Sequence, residues 1–197
     1  MVLTYKNRRS ATHYFRAVRT NKGNYRYYVT KQETGNLINE IPKGFEIYEH
    51  PEDAKVVLRK KIINKVTKDE IEIMREAVKN LSALDDFLID VEGNVLTVYF
   101  GRMDRKEFKN MCPVGKTEQE LEKLYREFQT YIATMRFFLE DEKDRKFTVQ
   151  RWCYLGGIDD WIDLETSDDL RTLAEKYCYH LGRESYFNLE PSGLEIT

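Results

Sequence analysis

Glycine and proline are scarce, with ten and four residues in a chain of 197. That is well below the roughly 12% of average usage and excludes a collagen-like or Pro/Gly-rich disordered chain. Cysteine occurs only at 112, 153 and 178. An odd number at those spacings matches neither a disulfide framework nor a paired-cysteine metal knuckle, so a reducing compartment is expected. No apolar run approaches the ~18 residues that a membrane-spanning helix requires, and no membrane partner is expected. The opening residues Met-Val-Leu-Thr-Tyr-Lys-Asn-Arg-Arg lack the apolar centre of a secretory signal, which leads to the expectation of a cytoplasmic location.

What the chain does have is charge, aromatic residues and enough apolar side chain for a core. Charged residues make up 34% against a usual ~25%, and aromatics reach 13%, which is not the composition of a disordered segment. The net charge of −2 hides a segregation. Residues 1–31 contain Lys6, Arg8, Arg9, Arg16, Arg19, Lys22, Arg26 and Lys31 and no acid. Residues 140–175 carry eleven acids against five bases. Such asymmetry can mark an interaction surface.

Three threonines stand three residues before an acid: Thr67 before Glu70, Thr117 before Glu120, and Thr166 before Asp169. The first two read as capping boxes and the third as a looser acidic variant, each opening a helix. Apolar residues then fall on one helical face: Ile71, Met74, Val78; Leu121, Leu124, Phe128; Leu170, Leu173, Tyr177. Each helix is followed by an aromatic-led strand (Phe87-Leu88-Ile89, Phe137-Phe138-Leu139, Tyr186-Phe187-Asn188-Leu189), a turn, and a return strand starting near 95, 147 and 194. The period of about 50 residues suggests an αββ internal repeat. Upstream, Phe45–Tyr48 and Val56–Leu58 read as a hairpin, and Tyr14 to Ile38 as another with its turn near Glu33–Asn36. The expected fold is α+β: antiparallel sheets built from β-hairpins with three amphipathic helices. Residues 1–62 would form a strand-rich N-terminal part and 63–197 three helix-plus-hairpin units, within one compact domain. The stretch Ile41-Pro42-Lys43-Gly44-Phe45-Glu46-Ile47-Tyr48-Glu49-His50-Pro51, followed by Val56 to Arg59, resembles a motif of uncharacterised bacterial proteins. The resemblance implies no function and assigns no residue a role.

Three segments have the residue types for binding or chemistry. In the basic arm, Tyr5, Tyr14, Phe15, Tyr25, Tyr27 and Tyr28 alternate with the cations. Arg8, Arg9, Arg16, Arg19, Arg26 and Tyr27 are therefore candidates for contacting nucleic acid or an acidic partner, cations neutralising phosphates and rings stacking on bases. The sequence pI near 6.0 speaks against a dedicated nucleic-acid binder, and an amphipathic strand with solvated bases is the plain alternative. The stretch from Asn110 to Thr117 ends like a phosphate loop but lacks its first glycine and its strand. Lys116 and Thr117 remain as an anion site at a helix start, beside the simpler reading of a turn and a cap. Asp160 and Asp163 belong to the densest run of acids and are the candidate metal ligands, although the spacing fits no calcium loop. His180 would need a partner such as Asp160 to act as a base. No cofactor is expected. A binding or interaction protein, with an unknown protein partner, self-association or nucleic acid, fits these features better than a metal- or phosphate-dependent enzyme.

Overall fold

The computed structural model describes residues 1–112, 115–154, 157 and 159–191. The strands are β1 (Thr4–Lys6), β2 (Thr12–Arg19), β3 (Tyr25–Thr30), β4 (Phe45–Glu49), β5 (Val56–Lys60), β6 (Phe87–Glu92), β7 (Val95–Gly101), β8 (Tyr131–Asp141), β9 (Lys146–Cys153) and β10 (Asp160–Ser167). The helices are α1 (Lys68–Leu81), α2 (Arg105–Met111), α3 (Glu118–Phe128) and α4 (Leu170–Cys178). Every strand pairing is antiparallel, and the class is α+β, as the close strand pairs require. No helix among the described residues is long and apolar enough to cross a membrane.

The chain divides into two compact units. One joins residues 1–61 to 103–130, and the other joins 62–102 to 131–197. The first contains a β1-β2-β3 sheet, the β4-β5 hairpin, α2 and α3. Phe15 is fully buried there, Tyr27 meets Phe45 edge-on at 4.9 Å, and Phe108 packs on Tyr125 at 5.6 Å. The turn between β2 and β3 is Thr20–Asn24, not Glu33–Asn36: the Thr20 amide donates to the Asn24 carbonyl and Gly23 takes a φ of +82°. Glycine meets that φ without the clash of a Cβ. The later turn, with Gly35, returns the chain so that Leu37 bridges Arg16 on the other side of β2.

The second unit is a five-stranded sheet in the order β10-β9-β8-β7-β6, with α1 and α4 contributing to one core. Met74, Val78, Leu173 and Tyr177 bury their expected helical stripes beside Phe137, Phe147 and Val149. The first helix begins as its sequence says: Thr67 accepts from the Glu70 amide and Glu70 accepts from the Thr67 amide. Glu70 also receives the Arg145 guanidinium. Burial raises its pKa, but the hydrogen bonds from Arg145 and Thr67 outweigh that and leave it below the ordinary value. A lowered folded-state pKa stabilises above the unfolded pKa, and the gain is lost as pH falls through the folded one. Glutamine still closes the capping box but loses the charge toward Arg145, so Glu70→Gln should be less stable than the parent at neutral pH by about 1 kcal/mol, with the gap closing below the usual carboxylate range. Urea unfolding at several pH values reads this, and a gap that persists in acid would refute it.

The third expected unit is different. Thr166 lies inside β10, paired with Thr148, and α4 is capped instead by Asp169, which accepts from the Thr172 amide at 3.0 Å. The strand expected at Tyr186–Leu189 is absent: Glu184–Tyr186 is a 3₁₀ turn. Its return strand at 194–196 lies outside the described residues. Ile162, Asp163, Leu164 and Glu165 alternate apolar and polar, which suits a strand beside β9, and this pairing through Ser167 delays the helix start. In α3 the buried residue is Tyr125, while Phe128 is exposed. The Tyr125 hydroxyl donates to the Met103 carbonyl at 3.1 Å, and the buried side of the helix lies about a quarter turn from the one expected. α2 was not expected at all, and α3 belongs to a different unit from β8 and β9. An αββ repeat does not describe this arrangement.

Candidate nucleic-acid interface

Strand alternation sorts the basic arm onto two faces. The β2–β3 register pairs Phe15 with Val29, Ala17 with Tyr27 and Arg19 with Tyr25 on one face, and Tyr14 with Thr30, Arg16 with Tyr28 and Val18 with Arg26 on the other. The first is the inward face, holding buried Phe15 and the Tyr27–Phe45 contact. On the outward face Val18 and Tyr28 are about half exposed, at 49% and 46%, and Arg26 is exposed. Lys6 reaches the same face through its pairing with Thr12, which lies two residues before Tyr14. Lys6, Tyr14, Arg16, Arg26 and Tyr28 thus share one solvent-facing surface of three strands.

Of the six residues that the sequence proposes, Arg16 and Arg26 lie on this surface. The stem of Arg16 runs along Gly35, where any Cβ would come within 3.1 Å of the Arg16 Cδ. Its Nε–H is buried with no hydrogen-bond partner. Partial burial and the Glu33 carboxylate raise the Tyr14 hydroxyl pKa, so the ring stays neutral at physiological pH.

The other four are placed elsewhere. Arg8 is committed to structure: it pairs with Glu49 at 3.1 Å and donates to the His50 and Pro51 carbonyls. Arg9 donates to the Gln129 carbonyl at 3.0 Å. Tyr27 belongs to the inward packing, and Arg19 projects from the same side near the strand end. Lys6, Tyr14 and Tyr28 lie on this face as well, outside the six. The i, i+2 spacing of Tyr14 and Arg16, and of Arg26 and Tyr28, is the signal for them, once the turn is placed at 20–24.

The acidic candidates meet other partners. Asp163 accepts from the Gln150 amide, Asp160 accepts from the Trp161 amide at 2.7 Å, and both act electrostatically on Arg136. The Arg136 guanidinium lies 4.4 Å from the centre of the Trp161 ring, which meets Trp152 edge-on at 5.2 Å. Their negative charge is turned toward a guanidinium, and among the described residues no group of three or more His, Cys, Asp or Glu is placed to hold a metal. Thr117 is the N-cap of α3. The Glu120 carboxylate accepts from its amide and hydroxyl at 2.8 and 2.9 Å, so a negative charge already lies beside Lys116 and Thr117. His180 bonds Ser185 through Nδ1 at 2.8 Å. Burial and the Arg183 charge lower its pKa.

The two units also differ in charge. The first carries 19 basic and 12 acidic residues, and the second 13 basic and 22 acidic. The near-neutral whole therefore averages a strongly basic unit with a strongly acidic one. Comparison with protein-family models, with curated proteins and with solved structures finds no match to this chain.

Proposed function

We propose that the protein is a binding protein whose ligand is single-stranded nucleic acid, held on the outward face of the β1-β2-β3 sheet. The observation that carries this reading is the cross-strand register: Arg16 lies opposite Tyr28 and two residues from Tyr14, with Arg26 and Lys6 on the same face. Cations beside aromatic rings suit a strand whose bases are splayed and whose phosphates need neutralising. The low pI of the whole chain is no obstacle, because the unit bearing this face has seven more bases than acids.

Fluorescence anisotropy with a labelled oligothymidylate, titrated in salt, tests the reading. Three phosphate contacts should give a slope of log affinity against log salt near −2, from about −0.7 per contact on single strands. The triple variant Lys6→Ala, Arg16→Ala, Arg26→Ala should flatten that slope toward zero. Binding that ignores salt, or a triple variant with the parent's slope, removes the proposal.

The same segregation of charge favours a second reading, in which the basic unit of one copy meets the acidic unit of another. Such pairing would steer association more than it would strengthen it. Sedimentation would show dimers or longer chains that dissociate as salt rises, and a monomer at high concentration and low salt would dismiss it.

A further inference from the structure

A cavity of about 440 Å³ opens where β2 begins and β3 ends, against the turn that joins β4 to β5. Arg9, His13, Lys31 and Lys55 lie on its wall, with Asp53 and Glu127 as the acids. The floor is braced by Asn7, whose side chain donates to the Ala54 carbonyl and accepts from the Ala11 amide, both at 2.9 Å. The residues that hold the cations are therefore fixed by the fold of this unit.

The charge in the cavity is not balanced internally. Lys31 and Lys55 are exposed and form no ion pair with the described residues. The Nε–H of Arg9 is buried and has no hydrogen-bond partner, although its Nη2 is held by the Gln129 carbonyl. Both acids have other attachments: Asp53 accepts from the Lys55 amide at 2.9 Å, and Glu127 lies 3.9 Å from the Lys123 ammonium. His13 donates to the Ala11 carbonyl through Nδ1 at 3.0 Å, which fixes its ring on the wall. Three cations, Arg9, Lys31 and Lys55, around one opening suit a dianion with several acceptor oxygens, and the volume exceeds that of a bare phosphate, leaving room for the group it is attached to.

We infer that this cavity binds a phosphate monoester, specifically the terminal phosphate of a strand lying on the outward face. The inference rests on the proposed function. Thr30 lines the cavity and pairs with Tyr14, so the end of the outward face and the mouth of the cavity are cross-strand neighbours. A strand lying along the rings of Tyr28 and Tyr14 would bring its end to the lysines.

The test compares three decathymidylates: hydroxyl-ended, 5′-phosphorylated and 3′-phosphorylated, each labelled away from the varied end. One phosphorylated form should bind about tenfold more tightly than the hydroxyl form. Lys55→Ala, at an exposed position away from the outward face, should remove that gain and leave the hydroxyl form within about threefold of the parent. Equal affinity for all three by the parent protein would overturn the inference while leaving the proposed function intact. If none of the three binds, the proposed function fails, and the cavity is then judged with inorganic phosphate alone. At matched ionic strength, a melting temperature that rises in phosphate over chloride for the parent but not for Lys55→Ala supports an anion site of this chemistry. Identical melting in both salts overturns it.

Discussion

Replacing Arg16 and Arg26 together by glutamate is expected to weaken binding of a single-stranded oligonucleotide at least about 100-fold at low salt. Each change removes a cation from the outward face of the β1-β2-β3 sheet and sets a like charge against phosphate. At surface dielectric each reversal costs on the order of 1.4 kcal/mol, which is tenfold in affinity. Tyr28→Ala should cost roughly tenfold by itself, since stacking one base on an aromatic ring is worth about 1–3 kcal/mol. Arg26 is exposed and its reversal leaves the fold intact, but the Arg16 stem rests on the Gly35 turn. Arg16→Gln, which preserves most of that packing, separates loss of charge from loss of structure. Anisotropy titration gives the affinities and circular dichroism verifies folding. A folded double variant that binds like the parent would end the case for this face.

The second large effect concerns what holds that unit together. One carboxylate, Glu49 on β4, accepts from the Tyr5 hydroxyl at 2.9 Å, from the Arg8 amide at 3.1 and 3.2 Å, and from the Arg8 guanidinium at 3.1 Å. The Arg8 and Glu49 side chains are only 21% and 12% exposed. Glu49→Ala withdraws the acceptor from all of these donors at once. Breaking a buried pair costs about 3–5 kcal/mol, and the residual exposure puts this one near 3. Guanidinium unfolding should show that loss, and a change under about 1 kcal/mol would contradict the geometry.

Tyr5 supplies an independent readout. Its own burial, then the hydrogen bond and charge of Glu49, push the hydroxyl up to about 12. A raised folded-state pKa means that the neutral hydroxyl is favoured by the fold. That contribution is complete below about pH 10 and fades as pH rises through about 12. In Glu49→Gln the Tyr5 ring resonance should titrate at lower pH than in the parent, and an unchanged midpoint would show that the carboxylate does not hold it.

Local signals suffice where neighbours in sequence are also neighbours in space. Thr67 and Thr117 cap their helices because a capping box is closed by residues three apart. The β4-β5 and β6-β7 hairpins form where they were expected because their turns lie between adjacent runs. Thr166 has a similar local pattern, yet the residues around it also suit a strand, and pairing with β9 decided between the two. The candidate site was half legible. Composition marked the basic aromatic arm, but a one-residue difference in alternation separates Arg16 from Ala17 and Tyr28 from Tyr27, and the turn fixes that register.

Sequence alone determined the α+β class, two of the helix starts, the hairpins whose turns are local, and the concentration of cations and rings in the first 31 residues. These follow from propensity, capping and charge, which act over a few residues. Tertiary structure decided which cations are committed to partners within the fold and which are not. Arg8 is spent on Glu49 and Asp160 faces Arg136, whereas Arg16, Arg26 and Lys6 share an open face. Such assignments depend on partners 40 or more residues apart in the case of Arg8, and a carboxylate or guanidinium shows no sign in sequence of whether a distant opposite charge will claim it.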